Sequence, residues 1–290
     1  MEISKHDLVS NDGRKIVYKE FSLNDQEKCY KGDLQEDSTL TLINEEELQL
    51  FPPIESFEQE AEDSEEEACS VRDERLKMST DSYPGRAICR LIITRGDGTQ
   101  GVGTGWLNGP GSVVTAGHCV YSKNLNQWSK SIVVVPGQNN TDKLYGSFMS
   151  LNFWSVAGWT QEKNTEYDYG VIELNEKIGH ELGYFGFKCA DNLNLDDKKI
   201  INSGYPTDKR DINDIATQWY SKGEIQEITE KNIYYMLDTY KGNSGGPVWL
   251  DDDEFQAICI HTHGGCPNYG TKITKQVFNN LLRLKELYNK

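Results

Sequence analysis

From residue 84 onward, short apolar runs alternate with clusters of Gly, Asn, Asp and Pro, and no long helical stretch interrupts them until the end. Runs of this length bounded by turn residues predict β-strands. The expected strands are 87–94, 103–107, 112–115, 132–135, 171–174, 200–204, 217–220, 234–238, 247–250 and 257–261. The last segment changes period. Val277, Phe278, Leu281, Leu282, Lys285 and Tyr288 fall on one helical face, with Thr274 placed to cap it. An all-β chain of many short strands predicts a barrel or sandwich, closed here by a carboxy-terminal helix.

Charge divides the chain. Residues 1–70 carry 20 acidic and 6 basic side chains, net −14, and the rest carry 26 and 24, net −2, which together make the formal −16. No Lys or Arg occurs from Gly32 through Val71, and the acids culminate in Glu65-Glu66-Glu67. Such a run reads as a solvated tail. The expected organisation is therefore an acidic, mostly loop-like leader over residues 1–69 and a folded domain over 70–290. Asp12-Gly13, between Val9 and Ile16-Val17, is a hairpin-turn signal inside that leader. Met1 to Tyr30 contains no apolar core of a signal peptide, and nothing approaches a membrane span. Seven cysteines, at 29, 69, 89, 119, 189, 259 and 266, leave at least one thiol unpaired.

Three stretches carry candidate chemistry. In Gly242-Asn243-Ser244-Gly245-Gly246-Pro247 a serine is fenced by glycines, so the backbone can turn sharply and aim N–H groups at one point. That is a nucleophile beside an oxyanion hole, or else a tight turn between two strands. Thr115-Ala116-Gly117-His118-Cys119 places His118 just past a strand. Glu166-Tyr167-Asp168-Tyr169-Gly170 places Asp168 between two tyrosines ahead of another, where a buried carboxylate needs a donor. A base, an acid and a nucleophile in the order His, Asp, Ser compose a catalytic triad in one of its known chain orders.

Thr-Ala-Gly-His-Cys, Asp-Tyr-Gly-Val-Ile-Glu-Leu and Gly-Asn-Ser-Gly-Gly-Pro resemble the three catalytic blocks of chymotrypsin-like serine proteases. More narrowly, the chain is similar to the bacterial glutamyl endopeptidases of the V8-like branch. Tyr83-Pro84, Asn108-Gly109-Pro110, Ser203-Gly204-Tyr205-Pro206, Asp238-Thr239-Tyr240 and Thr271-Lys272-Ile273-Thr274-Lys275 extend the match across about residues 70–290. The resemblance implies two six-stranded antiparallel β-barrels followed by a helix, with His118 and Asp168 from the first barrel and Ser244 from the second. It implies Ser244 as nucleophile, His118 as base, Asp168 as its orienting acid, and the N–H groups of Gly242 and Ser244 as oxyanion hole. Thr239 and His261 match the residues that bind a substrate glutamate, whereas His263 matches nothing and receives no role. The implied enzyme is a monomer that cleaves proteins or peptides at acidic residues, with no metal, no organic cofactor, no nucleic acid and no membrane. Relatives are secreted and begin their mature chain near the place corresponding to Ser70-Val71, so the resemblance offers a pro-segment as the alternative to a solvated tail, and an extracellular location although no signal peptide is visible.

Two departures stand out. Relatives pair the Cys beside the catalytic His with a Cys just before Thr-Gly-Trp, but Gly103 stands there, so Cys119 is free or paired elsewhere. Asn243 replaces the Asp with which trypsin-like enzymes bind a new amino terminus, and a neutral amide does not neutralise a buried ammonium in that way. Rival readings are an α/β-hydrolase, whose acid and His follow the Ser, an inactive protease scaffold used for binding, and a zinc site from Cys259, His261, His263 and Cys266.

Overall fold

The computed structural model describes residues 3–20, 29–30, 32, 69, 73–191, 193–210, 215–252 and 254–288. The acidic run 45–67 and the Ser70-Val71 boundary lie outside the described residues.

The domain is built from two sheets. The second contains a closed ring of six strands: Pro247–Leu250, Lys199–Gly204, Trp219–Ile228, Asn232–Tyr235, Asn268–Lys272 and Gln256–His263, which returns to Pro247–Leu250. Closure removes every exposed edge from that ring. Gly186–Lys188 adds in parallel to Gln256-Ala257, and Cys29–Tyr30 adds to Gly186–Lys188.

The first sheet has nine strands. From one end they are Phe148–Ser150, Ser131–Pro136, Ile88–Thr94, Gln100–Gly109, Ser112–Thr115, Gly170–Glu173, Phe153–Val156, Leu8–Ser10 and Lys15–Ile16. It curls so that the Ser150 hydroxyl donates to the Glu173 carbonyl at 2.6 Å. Ile88, Leu91, Trp106, Val113, Val114, Ile132, Val134, Phe153 and Ile172 fill its interior. Phe185, Trp249 and Phe187 pack with them, so the core continues from one sheet into the other. The helix Lys275–Leu287 closes the chain, and its Thr274 hydroxyl accepts from the Val277 N–H, the cap read from the sequence.

The paired-barrel, all-β reading and the terminal helix therefore hold, and two local expectations change. Trp219–Ile228 runs eight residues past the expected 220, because its outward Lys222, Glu224 and Glu227 look like a loop in sequence. Phe153–Val156 and Asn268–Lys272 went unread; the second has almost no apolar alternation. At the amino terminus Leu8–Ser10 and Lys15–Ile16 form the hairpin signalled by Asp12-Gly13, and its first strand pairs with Phe153–Val156. Leu8 is 1% exposed and belongs to the core.

Candidate active site

His118 lies on a single helical turn, Gly117–Val120, directly after the fully buried strand Ser112–Thr115. Gly117 matters through its size. A Cβ there would lie 2.9 Å from the Asp168 Oδ1, so only glycine lets that carboxylate reach the turn. Asp168 ends the short turn Thr165–Tyr167, in which the Asn164 side chain accepts the Glu166 N–H. Its side chain is 0% exposed, between Tyr167 and Tyr169, as the two flanking tyrosines suggested. Both carboxylate oxygens are used on one partner: Oδ1 accepts the His118 backbone N–H at 2.9 Å, and Oδ2 lies 2.8 Å from His118 Nδ1. From the second sheet, the Thr271 hydroxyl donates to the Asp168 carbonyl at 3.0 Å and pins the loop across the interface.

Burial alone would push the imidazole toward neutrality. The Asp168 carboxylate outweighs it and holds His118 well above the usual histidine range. Burial likewise works against the Asp168 anion, yet the His118 charge and hydrogen bonds keep that carboxyl below its ordinary value. Asp168 therefore favours the imidazolium over the neutral ring and orients the imidazole through its Nδ1 bond.

Ser244 sits on a loop braced from both sheets. The Ser244 carbonyl accepts the Thr104 N–H at 2.8 Å, and the Gly242 carbonyl accepts the Thr104 hydroxyl at 2.7 Å. The Gly245 N–H donates to the His261 carbonyl at 2.7 Å, and Asn243 N–H to Tyr240 at 3.0 Å. Gly242 adopts φ +101°, and a Cβ there would lie 2.2 Å from the Tyr205 carbonyl, so this turn admits glycine alone. The Cys119 thiol, one residue beyond His118, lies 3.8 Å from the Ser244 carbonyl, which brings the His and Ser loops side by side. A Cβ at Gly103 would lie 2.9 Å from that same thiol. The position that carries the partner cysteine in relatives thus faces Cys119, which stays free and buried.

The other two sequence-selected residues are both buried near this loop. His261 is 2% exposed, and its Nδ1 lies 2.6 Å from the Tyr235 hydroxyl. Burial first, and the neighbouring His263 and His118 second, lower it to about 3. Thr239 donates its hydroxyl to Asn268 Oδ1 at 2.8 Å. Asn268 also accepts the Gly265 N–H and donates to the Leu237 carbonyl, joining Thr239 to the loop before Asn268. That loop is held by the disulfide between Cys69 and Cys266, and the Cys69 and Glu74 N–H groups donate to the Asp238 carboxylate at 3.0 and 2.8 Å.

Tyr235, Asn268 and Cys69 thus belong to the site's surroundings, and none was selected from sequence. His263 is also closer than expected. It stacks on Tyr269 at 4.4 Å, with its ring centroid 6.4 Å from that of His118. The zinc reading fails on geometry. Cys266 is committed to Cys69, and a register shift between His261 and His263 breaks the strand alternation that would have placed them on one face. Among the described residues no three His, Cys, Asp or Glu side chains group so as to hold a metal ion.

Comparison with known proteins agrees with this architecture. The family model described as Trypsin matches residues 80–282. A glutamyl endopeptidase of Bacillus licheniformis is 37% identical over 224 residues, covering 73% of this chain and 67% of the relative. A Bacillus subtilis protein named extracellular metalloprotease is 38% identical over 214 residues, covering 72% and 67%. A solved Glu endopeptidase, crystallised with MPD, superposes with TM-score 0.67 at 30% identity, covering 74% of this chain and 98% of its own. With two barrel-like sheets meeting at His118, Asp168 and the Ser244 loop, the chain belongs to the trypsin family and is a serine endopeptidase of chymotrypsin-like fold.

Proposed function

We propose that the chain hydrolyses peptide bonds after glutamate through an acyl-enzyme, with Ser244 as nucleophile, His118 as general base and then general acid, and Asp168 as the anion that orients and stabilises the imidazolium. The observation that carries this reading is the doubly hydrogen-bonded, buried Asp168–His118 pair beside a glycine-fenced serine. Asp168 occupies Nδ1, so Nε2 is the nitrogen left to take the serine proton. The sharp turn at Gly242 supports the N–H groups of Gly242 and Ser244 as the oxyanion hole, where charge develops in the transition state.

Preference for glutamate rests on Thr239 and His261. With the Tyr235 hydroxyl donating to Nδ1, the neutral imidazole keeps an Nε2–H to donate to a substrate carboxylate. An arriving carboxylate also favours the charged imidazole, so substrate binding pulls His261 up from its low value. The glutamyl endopeptidase relatives support this specificity.

Residues 70–290 serve as the catalytic domain, acting as a monomer on proteins or peptides with acidic residues. An extracellular place of action is supported by the name of the Bacillus subtilis relative and by the Cys69–Cys266 disulfide, a bond that persists in oxidising compartments. Among the described residues no helix is long and apolar enough to cross a membrane.

The test is a digest of a mixed peptide library read by mass spectrometry. Cleavage after Glu that disappears in Ser244→Ala supports both triad and pocket. Cleavage after other residues keeps the triad and removes the roles of Thr239 and His261. Absence of cleavage, with Ser244 unlabelled by a fluorophosphonate, favours the inactive scaffold.

A further inference from the structure

The leader hairpin makes more contacts than a disposable segment needs. Its first strand pairs Leu8 with Val156, Val9 with Ser155 and Ser10 with Trp154, which covers the edge of the first sheet. Beyond the strand, Ala157 and Gly158 donate their N–H groups to the Asp7 and Lys5 carbonyls at 3.0 and 2.9 Å. Asn11 ties off the other end: its amide donates to the Leu151 carbonyl, and its Oδ1 accepts the Phe153 N–H. Arg14 pairs with Glu173 at 2.9 Å, lies over the Trp154 ring at 4.9 Å, and donates to the Tyr288 hydroxyl.

The terminal helix is shaped to the same segment. Asn279 and Asn280 are 1% and 2% exposed, on a face where the sequence pattern leaves polar residues toward water. Asn280 donates to the His6 carbonyl and to the Tyr169 hydroxyl, both at 2.9 Å, and Asn279 donates to the Tyr18 hydroxyl at 3.2 Å. Arg283 donates to the Val17 carbonyl. The NH2 groups of two buried amides thus donate to leader atoms, and removing the leader would take those acceptors away. The hairpin also reaches the catalytic loop, since His6 packs on Tyr167 at 5.0 Å and Asn280 holds Tyr169, the two neighbours of Asp168.

We infer that residues 3–20 remain bound to the first sheet after the connection to the catalytic domain is cut, as a retained strand pair that seals the sheet edge and braces the loop bearing Asp168. The partner of that edge is this chain's own amino terminus, docked by strand addition with side-chain locks at both ends. The inference stands independently of the catalytic roles and of glutamate preference.

The test inserts the recognition sequence of a site-specific protease between Glu60 and Glu65, amino-terminal to the disulfide, in a full chain carrying Ser244→Ala to stop self-digestion and Cys29→Ser to exclude a covalent tether. After complete cutting, the leader fragment and the catalytic domain should co-elute in native size exclusion at micromolar concentration and separate only in denaturant. Adding Leu8→Asp or Arg14→Glu should release the fragment at least 10-fold faster, and amide exchange over 153–156 should accelerate with it. Separation of the two fragments from the cut parent, with the catalytic domain still folded, would overturn the inference. So would equal retention of the parent and of both variants. Arg14 is partly exposed, so the Arg14→Glu variant keeps the comparison open if Leu8→Asp does not fold.

Discussion

His118 and His261 are two histidines of one cleft held in opposite states. His118 faces a buried carboxylate and is held above the usual range; His261 faces a phenol and two other imidazoles and falls to about 3. Desolvation acts on both in the same direction, so burial does not distinguish them. The partner at Nδ1 does: an anion stabilises the imidazolium, and a neutral hydroxyl does not. Under the proposed function, one histidine takes up a proton during the reaction and the other donates a neutral hydrogen bond until a carboxylate arrives.

The largest break in this contrast is Asp168→Asn, which leaves a polar group of the same shape but no charge. kcat should fall about 10⁴-fold, because an amide in place of the carboxylate favours the wrong imidazole tautomer, and single-turnover kinetics on a glutamyl ester would measure it. Next is His261→Ala, which removes the donor to the substrate side chain. kcat/KM for a Glu substrate should drop about 10- to 100-fold, the worth of a hydrogen bond to a charged group, while that for an Ala substrate changes far less. Tyr235→Phe is smaller, at roughly 1–3 kcal/mol of stability from the unpaired Nδ1, seen in chemical denaturation. It also frees the tautomer, so KM for Glu should rise with kcat nearly unchanged.

The smallest effect is in pH alone. The base must be neutral to act, and His118 is raised, so kcat/KM should climb with pH through a midpoint above 6.5. Stability shows the opposite signs for the two residues. The raised His118 contributes stability below 6.5 that is lost as pH rises through its folded value. The lowered His261 is protonated more readily in the unfolded chain, so its contribution fades as pH falls from about 6.5 toward about 3. A pH series of unfolding midpoints in His261→Ala against the parent separates the two.

How much of this was legible follows from where each constraint lies. Ser244, His118 and Asp168 could be selected as candidates because the proposed chemistry demands local context: glycines around a nucleophile, a strand end before a base, aromatic cover around an acid. Tyr235 and Asn268 could not. They meet His261 and Thr239 only because the strand Asn268–Lys272 pairs with both Asn232–Tyr235 and Gln256–His263, and its sequence Asn-Tyr-Gly-Thr-Lys shows no strand period. The hairpin was visible at Asp12-Gly13, but its docking was not, because a sheet edge awaiting a partner leaves no mark on the partner's own residues.

The bond between Cys69 and Cys266 spans 197 residues and encloses nearly the whole catalytic domain in one covalent ring. A single cut anywhere inside that ring opens it without dividing the molecule, so the segments bearing His118, Asp168 and Ser244 stay attached to one another. For a protease surrounded by copies of itself, damage of that kind turns a ring with two tails into a branched, cross-linked chain and changes its molecular mass by only one water.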